Sequence, residues 1–265
     1  MTISNLDDLE KKVKEKKERY KSKEGIVVGH MLRGFSQTRP LVDMLNYELH
    51  RPNMYTFCGG FMRYACSPRR NPEPASDIDI YSWDYEAFEL LKKVFDWVKR
   101  YHLEIKHEND MAITYERPKN KDHVFYYVPT VQIIKPVIDG KVVAMGSTQE
   151  IISNFDFTVV RVGASAINIS CDNIYMDADF MHDEELKILR LKNIHCPISS
   201  TLRCMKYARK GYYLPPFQTL RLFLDWDNRD DDYRRKLMNF LEKAEGEDGL
   251  SQEEVDSMEA MMRID

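Results

Sequence analysis

The sequence lacks the cysteine pattern of a disulfide framework or a zinc ribbon. Its 265 residues include five cysteines, an odd number, and no two of them form a C-x-x-C pair. Disulfide-stapled secreted domains and structural zinc modules both need such pairs. A chain of this length is able to bury about three quarters of its unfolded surface, so a core can form without cross-links. The thiols are therefore predicted to be reduced, as they are in the cytosol.

Long apolar runs are also absent. No stretch reaches the roughly 18 consecutive apolar residues of a membrane-spanning helix. The N-terminal segment from Lys11 to Glu24 is a charged run and has no apolar core of the kind found in secretory signals. We therefore expect a soluble cytoplasmic protein that does not bind membranes.

The chain has no excess of positive charge and no histidine cluster. A formal net charge of −4 argues against a uniformly basic nucleic-acid-binding coat, but it permits a local basic surface. The seven histidines do not fall at ligand spacing, which argues against zinc. No serine occupies a nucleophile elbow, so the pattern does not indicate a serine hydrolase either.

Periodicity and composition divide the chain into four parts. Residues 1–25 are predicted to form a charged helix or arm, and residues 26–182 an α+β head in which helices cover a sheet. Residues 183–245 are helical by period, with Pro and Gly breaks, and residues 246–265 form an acidic tail or last helix. The fold class is therefore predicted as α+β, followed by an all-helical neck and body.

The individual elements follow from the same patterns. Strands are predicted at 54–58, 78–81, 111–115, 124–134 and 155–160. Helices are predicted at 38–49, 61–65, 85–101, 147–153, 184–191, 199–210, 216–226 and 233–244.

Two acids on one strand, after a pair of glycines, are the most informative feature. Asp77 and Asp79 alternate with apolar residues, so both carboxylates point to the same face of the strand. Together they are able to hold divalent metal ions that clamp a nucleoside triphosphate. Gly59 and Gly60 lie between a predicted strand and a predicted helix, where bare backbone amides at a helix N-terminus favour phosphate. The interleaved apolar residues and the missing distal Glu argue against a calcium-binding EF-hand.

This order of elements resembles the class II tRNA nucleotidyltransferases and bacterial poly(A) polymerases of the DNA polymerase β superfamily. Their motif G-G-x-V-R-D followed by D-x-D is similar to GGFMRY and DID in this chain. The resemblance implies a polymerase β-like nucleotidyltransferase head. It further implies Gly59, Gly60 and Arg63 as nucleotide-binding residues, and Asp77 and Asp79 as catalytic metal ligands for Mg²⁺ or Mn²⁺. The similarity covers roughly residues 54–213.

Two other motifs of that family have partial counterparts. The family's R-R-D-F-T is similar to NFDFT at 154–158, which implies Asp156 as a catalytic residue that orders the nucleotide site. The alternative is an aspartate that caps a turn. The neck motif E-D-x-x-R is similar to SSTLR at 199–203, which implies that Arg203 contacts the nucleotide. Ser199 and Ser200 stand where the family has its acid pair.

A third carboxylate is usual in this superfamily, and the corresponding strand here carries Gln132. Glutamine does not ionise and cannot act as a base. Three interpretations stay open: two aspartates suffice, Asp156 contributes, or the site is inactive.

A basic stripe follows Arg203 on the predicted neck helix. Lys206, Arg209 and Lys210 recur at helical spacing and are candidate RNA-binding residues, because phosphate backbones attract such cations. The alternative is a helix that packs Leu202 and Met205 inward and leaves its cations in solvent.

The resemblance implies a metal-dependent enzyme that transfers NMP from NTP to an RNA 3′ hydroxyl, with tRNA as the first choice of acceptor. One alternative keeps the chemistry and changes the acceptor to a protein hydroxyl or another nucleotide, as superfamily toxins and signal synthases do. Another is a catalytically inactive, RNA-binding relative. The sequence specifies neither the nucleotide added nor the oligomeric state.

Overall fold

An eight-stranded mixed sheet is the frame of the protein in a computed structural model. The structure describes residues 26–29, 41, 45, 47, 49, 54–97, 103–116, 130–138, 141–142, 144–165, 174–195 and 197–229, with scattered positions between 231 and 239. The predicted N-terminal arm, the acidic C-terminal tail and most of the predicted helix at 233–244 lie outside these residues.

Strands make up most of the described elements as far as residue 177, with helices between some of them. The strands are β1 (Ile26–Gly29), β2 (Tyr55–Cys58), β3 (Asp77–Ser82), β4 (Glu104–Glu108), β5 (Ala112–Glu116), β6 (Thr130–Ile134), β7 (Val137–Ile138), β8 (Lys141–Val142), β9 (Val162–Ser165) and β10 (Ile174–Asp177). The helices are α1 (Gly59–Cys66), α2 (Tyr85–Trp97), α3 (Thr148–Ser153), α4 (Phe180–Leu186), α5 (Pro197–Arg209) and α6 (Pro216–Asp227).

The strand order in the sheet is β1-β10-β9-β2-β3-β6-β5-β4, and β7 and β8 form a separate pair. Only the β3–β6 pair is parallel, with Asp79 opposite Gln132; the other neighbours are antiparallel. The predicted α+β fold class is confirmed. The strands that carry the predicted site, β2, β3 and β6, lie side by side in the middle of the sheet.

One face of the central strands is buried under helices. Ile78 and Ile80 of β3 are fully buried and share a core with Met62 of α1 and Leu91 of α2. Alternate residues of β3 therefore face the other side, where they are half-buried. This division follows from the two-residue period of a strand. Among the described residues, no helix is long and apolar enough to cross a membrane.

The segment predicted as a strand at 155–160 is a turn followed by a short 3₁₀ helix (Thr158–Val160), and that prediction was wrong. Its polar side chains are bonded to the second half of the chain. Asp156 accepts from Ser200, and the Thr158 hydroxyl donates to Asp183 over 2.7 Å. Because these residues face the helices, sheet pairing begins only at Val162.

After β10, the described part of the chain is mainly helical, with one non-helical segment between α4 and α5. The helix predicted at 184–191 instead spans Phe180–Leu186 and ends at Lys187, whose φ of 55° is left-handed. Residues after it run extended, and Leu191 bridges to Phe157. Phe157 shares a small buried cluster with Tyr207 of α5 and Leu222 of α6. This cluster fixes α5 beside the polar face of β3. The proposed boundary between head and neck, at 182/183, falls inside α4.

Candidate active site

Asp77 and Asp79 occupy the polar face of β3, as their spacing predicted. Both are half-buried, and Asp79 lies opposite Cys58 on one side and Gln132 on the other. The amide of Gln132 donates weakly to the Thr114 hydroxyl at 3.4 Å. The two carboxylates therefore share one face with a neutral amide in the place where a third acid was considered.

The glycine pair forms the turn from β2 into α1. Gly59 has a φ of +70°, a conformation that glycine adopts without strain. A Cβ atom at Gly59 would lie 2.9 Å from Oδ2 of Asp79, whereas a Cβ at Gly60 would meet nothing within 4 Å. The carboxylate of Asp79 thus lies directly against the N-terminus of α1.

A cleft of about 200 Å³ opens over these residues. It is lined by every residue predicted for the site except Arg209, which is exposed on α5 and is not among the described lining residues. Residues more than 120 positions apart in sequence, such as Asp77 and Lys206, therefore meet in one cavity. The structure brings the predicted site together, while the individual roles stay predictions.

The charged side chains in the cleft shift each other's pKa values. Burial, and then the negative charge of Asp77, raise the pKa of Asp79 to about 7, against a smaller opposite effect of Lys206 and Arg203. Burial, and then Arg63 and Lys206, lower the pKa of Lys210. Asp79, which resists ionisation, thus lies beside cations that repel each other. A cation at the acids and an anion at the lysines would relieve both repulsions.

The acid pair fits a small hard cation. Mg²⁺ commonly uses one or two carboxylates and completes its coordination with water and substrate phosphate oxygens. Asp77 and Asp79 supply that donor set, and the raised pKa of Asp79 reflects its burial and, after that, the negative charge of Asp77. In the described part of the chain, no group of three or more His, Cys, Asp or Glu side chains is placed to hold a metal. The two carboxylates therefore fit a metal ion that takes its remaining ligands from the substrate and from water.

Asp156 and Arg203 form an ion pair at the edge of the cleft. An Arg203 guanidinium nitrogen donates to Oδ2 of Asp156 over 2.9 Å, and the Ser200 hydroxyl donates to the same oxygen over 3.0 Å. Asp156 is almost fully buried. Oδ1 of Asp156 has no hydrogen-bond partner among the residues that the structure describes. Ser200 thus orients Asp156.

Arg63 lines the cleft, but its guanidinium group is hydrogen-bonded to other protein side chains. It donates to Tyr212 over 2.8 Å and to Glu184 over 3.3 Å, and it is 1% exposed. Arg69, from the loop after α1, also donates to Glu184, over 2.8 Å. Glu73 accepts from Arg69 in the same cluster. In this arrangement the two arginines tie α1 and its loop to the helical half, and a triphosphate contact by Arg63 stays a prediction.

Several residues of this region were not singled out by the sequence. Glu184 had no local signal, because the two arginines that it binds lie more than 100 residues away. Tyr81 and Phe155 also line the cleft. Tyr81 had a usable signal: it follows Asp79 by two residues on the same strand and so shares its face.

On α5, Cys204 and Tyr207 pack inward, whereas Met205 is 53% exposed. This corrects the alternative in which Met205 lies on the inward face of that helix.

The two glycines differ in what an added methyl group would do. We expect Gly59→Ala to destabilise the protein by about 1–2 kcal/mol, because φ is left-handed there and the Cβ would push against Asp79. Gly60→Ala is expected to keep the wild-type melting temperature and weaken NTP binding. Denaturant unfolding and nucleotide titration of the two matched variants test this. Equal losses of stability in both would contradict the geometry.

Asp79 also makes the stability of the metal-free protein depend on pH. Its folded pKa of about 7 lies above the usual unfolded value of about 3.9, so the folded state binds more protons between these values. The free energy of unfolding therefore falls as pH rises through that window. We expect Asp79→Asn to be more stable than wild type at pH 8 by about 1–3 kcal/mol, a figure discounted for partial exposure. Chemical denaturation in a chelator should show this gain nearly gone at pH 4; a gain equal at both pH values would refute it.

Among known proteins, only solved structures are found to be similar to this chain. No protein-family model matches the chain, and no curated protein matches it. The Thermotoga maritima CCA-adding enzyme complexed with tRNA has 17% identity and a TM-score of 0.43, over 69% of this chain and 39% of that one. The Bacillus stearothermophilus CCA-adding enzyme in complex with CTP has 16% identity and a TM-score of 0.47, over 69% and 42%. A CCA-adding enzyme in an apo form has 17% identity and a TM-score of 0.44, over 85% and 50%.

This chain spans half or less of the length of those three structures. At such identity and TM-scores, the likenesses assign neither a family nor a function to this chain. The functional conclusion therefore depends on the residues of the cleft.

Proposed function

We propose that this protein is a metal-dependent nucleotidyltransferase that transfers NMP from NTP to an RNA 3′ hydroxyl. The observation that carries the proposal is the contact between Asp79 and the glycine turn. The acid pair, the N-terminus of α1, Lys206 of α5 and Lys210 directly after α5 line one cleft. Acids for a cation and amides and ammonium groups for phosphate are the elements that a nucleoside triphosphate needs.

Each part of the cleft has a proposed task. Gly60 leaves room for phosphate to approach the first amides of α1, since nothing lies within 4 Å of where its side chain would be. Lys206 and Lys210 neutralise the triphosphate from the opposite wall. Mg²⁺ or Mn²⁺ held by Asp77 and Asp79 supplies Lewis-acid chemistry, lowering the pKa of the attacking hydroxyl and neutralising charge on the phosphate. Asp156, held by Ser200 and Arg203, orders the nucleotide end of the site.

The proposed acceptor is RNA, with tRNA as the first candidate, on the strength of the motif resemblance at residues 59–79 and 199–203. Arg209 is exposed on the helix that lines the cleft and remains available for a phosphate backbone. A protein hydroxyl or a second nucleotide is the alternative acceptor for the same chemistry.

The test is incorporation of label from each NTP separately, with Mg²⁺ or Mn²⁺, into several RNA 3′ ends and into total cellular protein. The proposal expects label in RNA that is released by 3′ exonuclease. Label in a protein band with none in RNA would show that the acceptor is a protein and not RNA. If no product forms with any NTP, acceptor or metal, the proposed enzymatic activity is refuted.

A second candidate, a nucleotide- or RNA-binding protein without transferase activity, is favoured by one observation. Gln132 stands opposite Asp79 in the β3–β6 register, where an acid would be useful. This candidate expects RNA binding that persists in Asp77→Ala, with no product under any metal.

Lys206 of α5 and Lys210 directly after it provide a prediction with an internal control. Lys206→Ala and Lys210→Ala are expected to raise the KM for NTP by about tenfold or more, because each removes a charged contact to phosphate. Arg209→Ala on the same helix should leave the KM for NTP unchanged, since Arg209 is outside the described lining of the cleft. Steady-state kinetics at saturating RNA measures the difference. An equal rise in all three variants would indicate a general effect of charge and contradict the assignment.

A further inference from the structure

An aromatic wall borders the cleft next to the acid pair. Tyr81 follows Asp79 by two residues on β3 and lies on the same half-buried face, so the two Cα atoms are about 7 Å apart along the strand. Phe155 comes from the turn after α3, and its ring centroid is 5.6 Å from that of Tyr81 with planes inclined at 52°. Both rings line the cleft.

The wall is supported from behind. Tyr81 and Phe155 are partly buried against a small cluster made by Cys58, Ile151 and Ile152. Gly163 allows this close packing, because a Cβ there would lie 2.8 Å from Sγ of Cys58. The rings are therefore held in place while part of their surface faces the cavity. An aromatic surface fixed beside phosphate-binding charges is suited to stack a nucleobase.

Asp77, Asp79 and Tyr81 follow one another along the same face of β3. Lys206 and Lys210 line the same cleft as the acid pair. The aromatic wall lies beyond Asp79 in the strand direction. A triphosphate placed at the lysines and the acid pair would therefore direct its nucleoside towards Tyr81 and Phe155.

A hydrogen-bond acceptor completes this end of the cleft. Oδ2 of Asp156 is used by Ser200 and Arg203, whereas Oδ1 is buried without a partner in the part of the chain that the structure describes. An unsatisfied buried acceptor costs stability, and a donor on a ligand would satisfy it. A nucleoside offers such donors in its exocyclic amino group and its ribose 2′-hydroxyl.

We propose that Tyr81 and Phe155 stack the base of the incoming nucleoside triphosphate, while Oδ1 of Asp156 accepts a hydrogen bond from that nucleoside. This inference rests on the proposed function and defines the nucleoside subsite of the same cleft. It assigns the wall to the incoming nucleotide, and not to the terminal base of the acceptor RNA.

The test is calorimetric titration, without RNA, of an α,β-nonhydrolysable ATP analogue and of inorganic tripolyphosphate, which has no base. Tyr81→Leu and Phe155→Leu are expected to lose about 5- to 100-fold in affinity for the analogue, the range measured for loss of base stacking. Both should retain wild-type affinity for tripolyphosphate. Tyr81→Phe, which keeps the ring, should bind the analogue as wild type does. Tyr85→Leu is the control for an exposed aromatic, 54% accessible on α2.

The outcomes separate the two proposals. Wild-type affinity for the analogue in both leucine variants, or weakened RNA binding alone, would overturn the aromatic assignment. An equal loss of tripolyphosphate binding would also overturn it, because the rings would then act only on packing. Wild-type protein that binds neither compound would refute the proposed function itself, and the inference with it.

The donor to Asp156 is identified with two further ligands, the 2′-deoxy analogue and the purine riboside analogue that lacks the amino group. We expect one of them to bind wild type about tenfold more weakly than the ATP analogue. Equal affinity for all three would overturn the role of Asp156 in this subsite.

Discussion

Asp79→Asn is expected to lower the rate of NMP transfer by about 10³-fold or more. The change keeps the shape of the side chain but removes the charge that would hold the metal, and that charge is worth several kcal/mol in the transition state. Asp77→Asn is expected to have an effect of the same order, because both carboxylates lie on the same face of β3. Single-turnover incorporation of labelled NMP measures the loss directly.

The loss must be one of chemistry and not of folding. At pH 8 without metal, Asp79→Asn is predicted to be more stable than wild type, so a fall in activity cannot be attributed to unfolding. Activity within tenfold of wild type in both aspartate variants would show that product is made elsewhere.

Glu184→Ala is expected to have the largest effect on stability, a loss of about 3–5 kcal/mol. Glu184 is 0% exposed and accepts hydrogen bonds from Arg63, Ser67, Arg69 and Tyr212. Its removal leaves two guanidinium groups next to each other without their buried counter-ion, and the partly exposed Glu73 is the acid that still pairs with them. Urea unfolding gives the change in free energy.

The adjacent Glu185 is the matched control, because it is exposed on the same helix. Glu185→Ala should change the free energy of unfolding by less than about 0.5 kcal/mol. If Glu184→Ala is as stable as the control, the cluster of Arg63, Arg69 and Glu184 does not join α1 to the helical half of the chain.

This cluster also explains how a site built from distant segments is held. Arg63 lies in α1, whose first residues form the glycine turn, and Tyr212 follows α5, which carries Lys206 and ends directly before Lys210. Their hydrogen bond of 2.8 Å therefore connects the opposite walls of the cleft. A side chain that sequence resemblance assigns to the substrate is used here to fix the distance between those walls.

Local patterns were sufficient to predict the centre of the site. Alternation placed Asp77 and Asp79 on one face of β3, because strand periodicity depends only on neighbouring residues. The glycine pair predicted the strand-to-helix turn for a similar reason, since backbone conformation is a local property. The α+β class followed from the succession of such elements, and the structure confirms it.

Long-range pairing was not predictable in the same way. The strand proposed at 155–160 failed because Asp156 and Thr158 are bonded to residues of the second half of the chain. The wall made by Tyr81 and Phe155 depends on a contact across 74 positions of sequence. The sequence did not distinguish Lys206 from Arg209 as a residue of the site. The packing of Cys204 and Tyr207 against the core decides which of the two cations faces the cleft.

The most direct test of the central claim is Mn²⁺ binding, measured by electron paramagnetic resonance in the presence of an α,β-nonhydrolysable NTP. The acid pair is predicted to bind Mn²⁺ together with the nucleotide in wild type, and to lose this binding in both Asp77→Asn and Asp79→Asn. Mn²⁺ binding that is the same in wild type and in the two variants, or absent from all three, would contradict the claim that these carboxylates hold the catalytic cation.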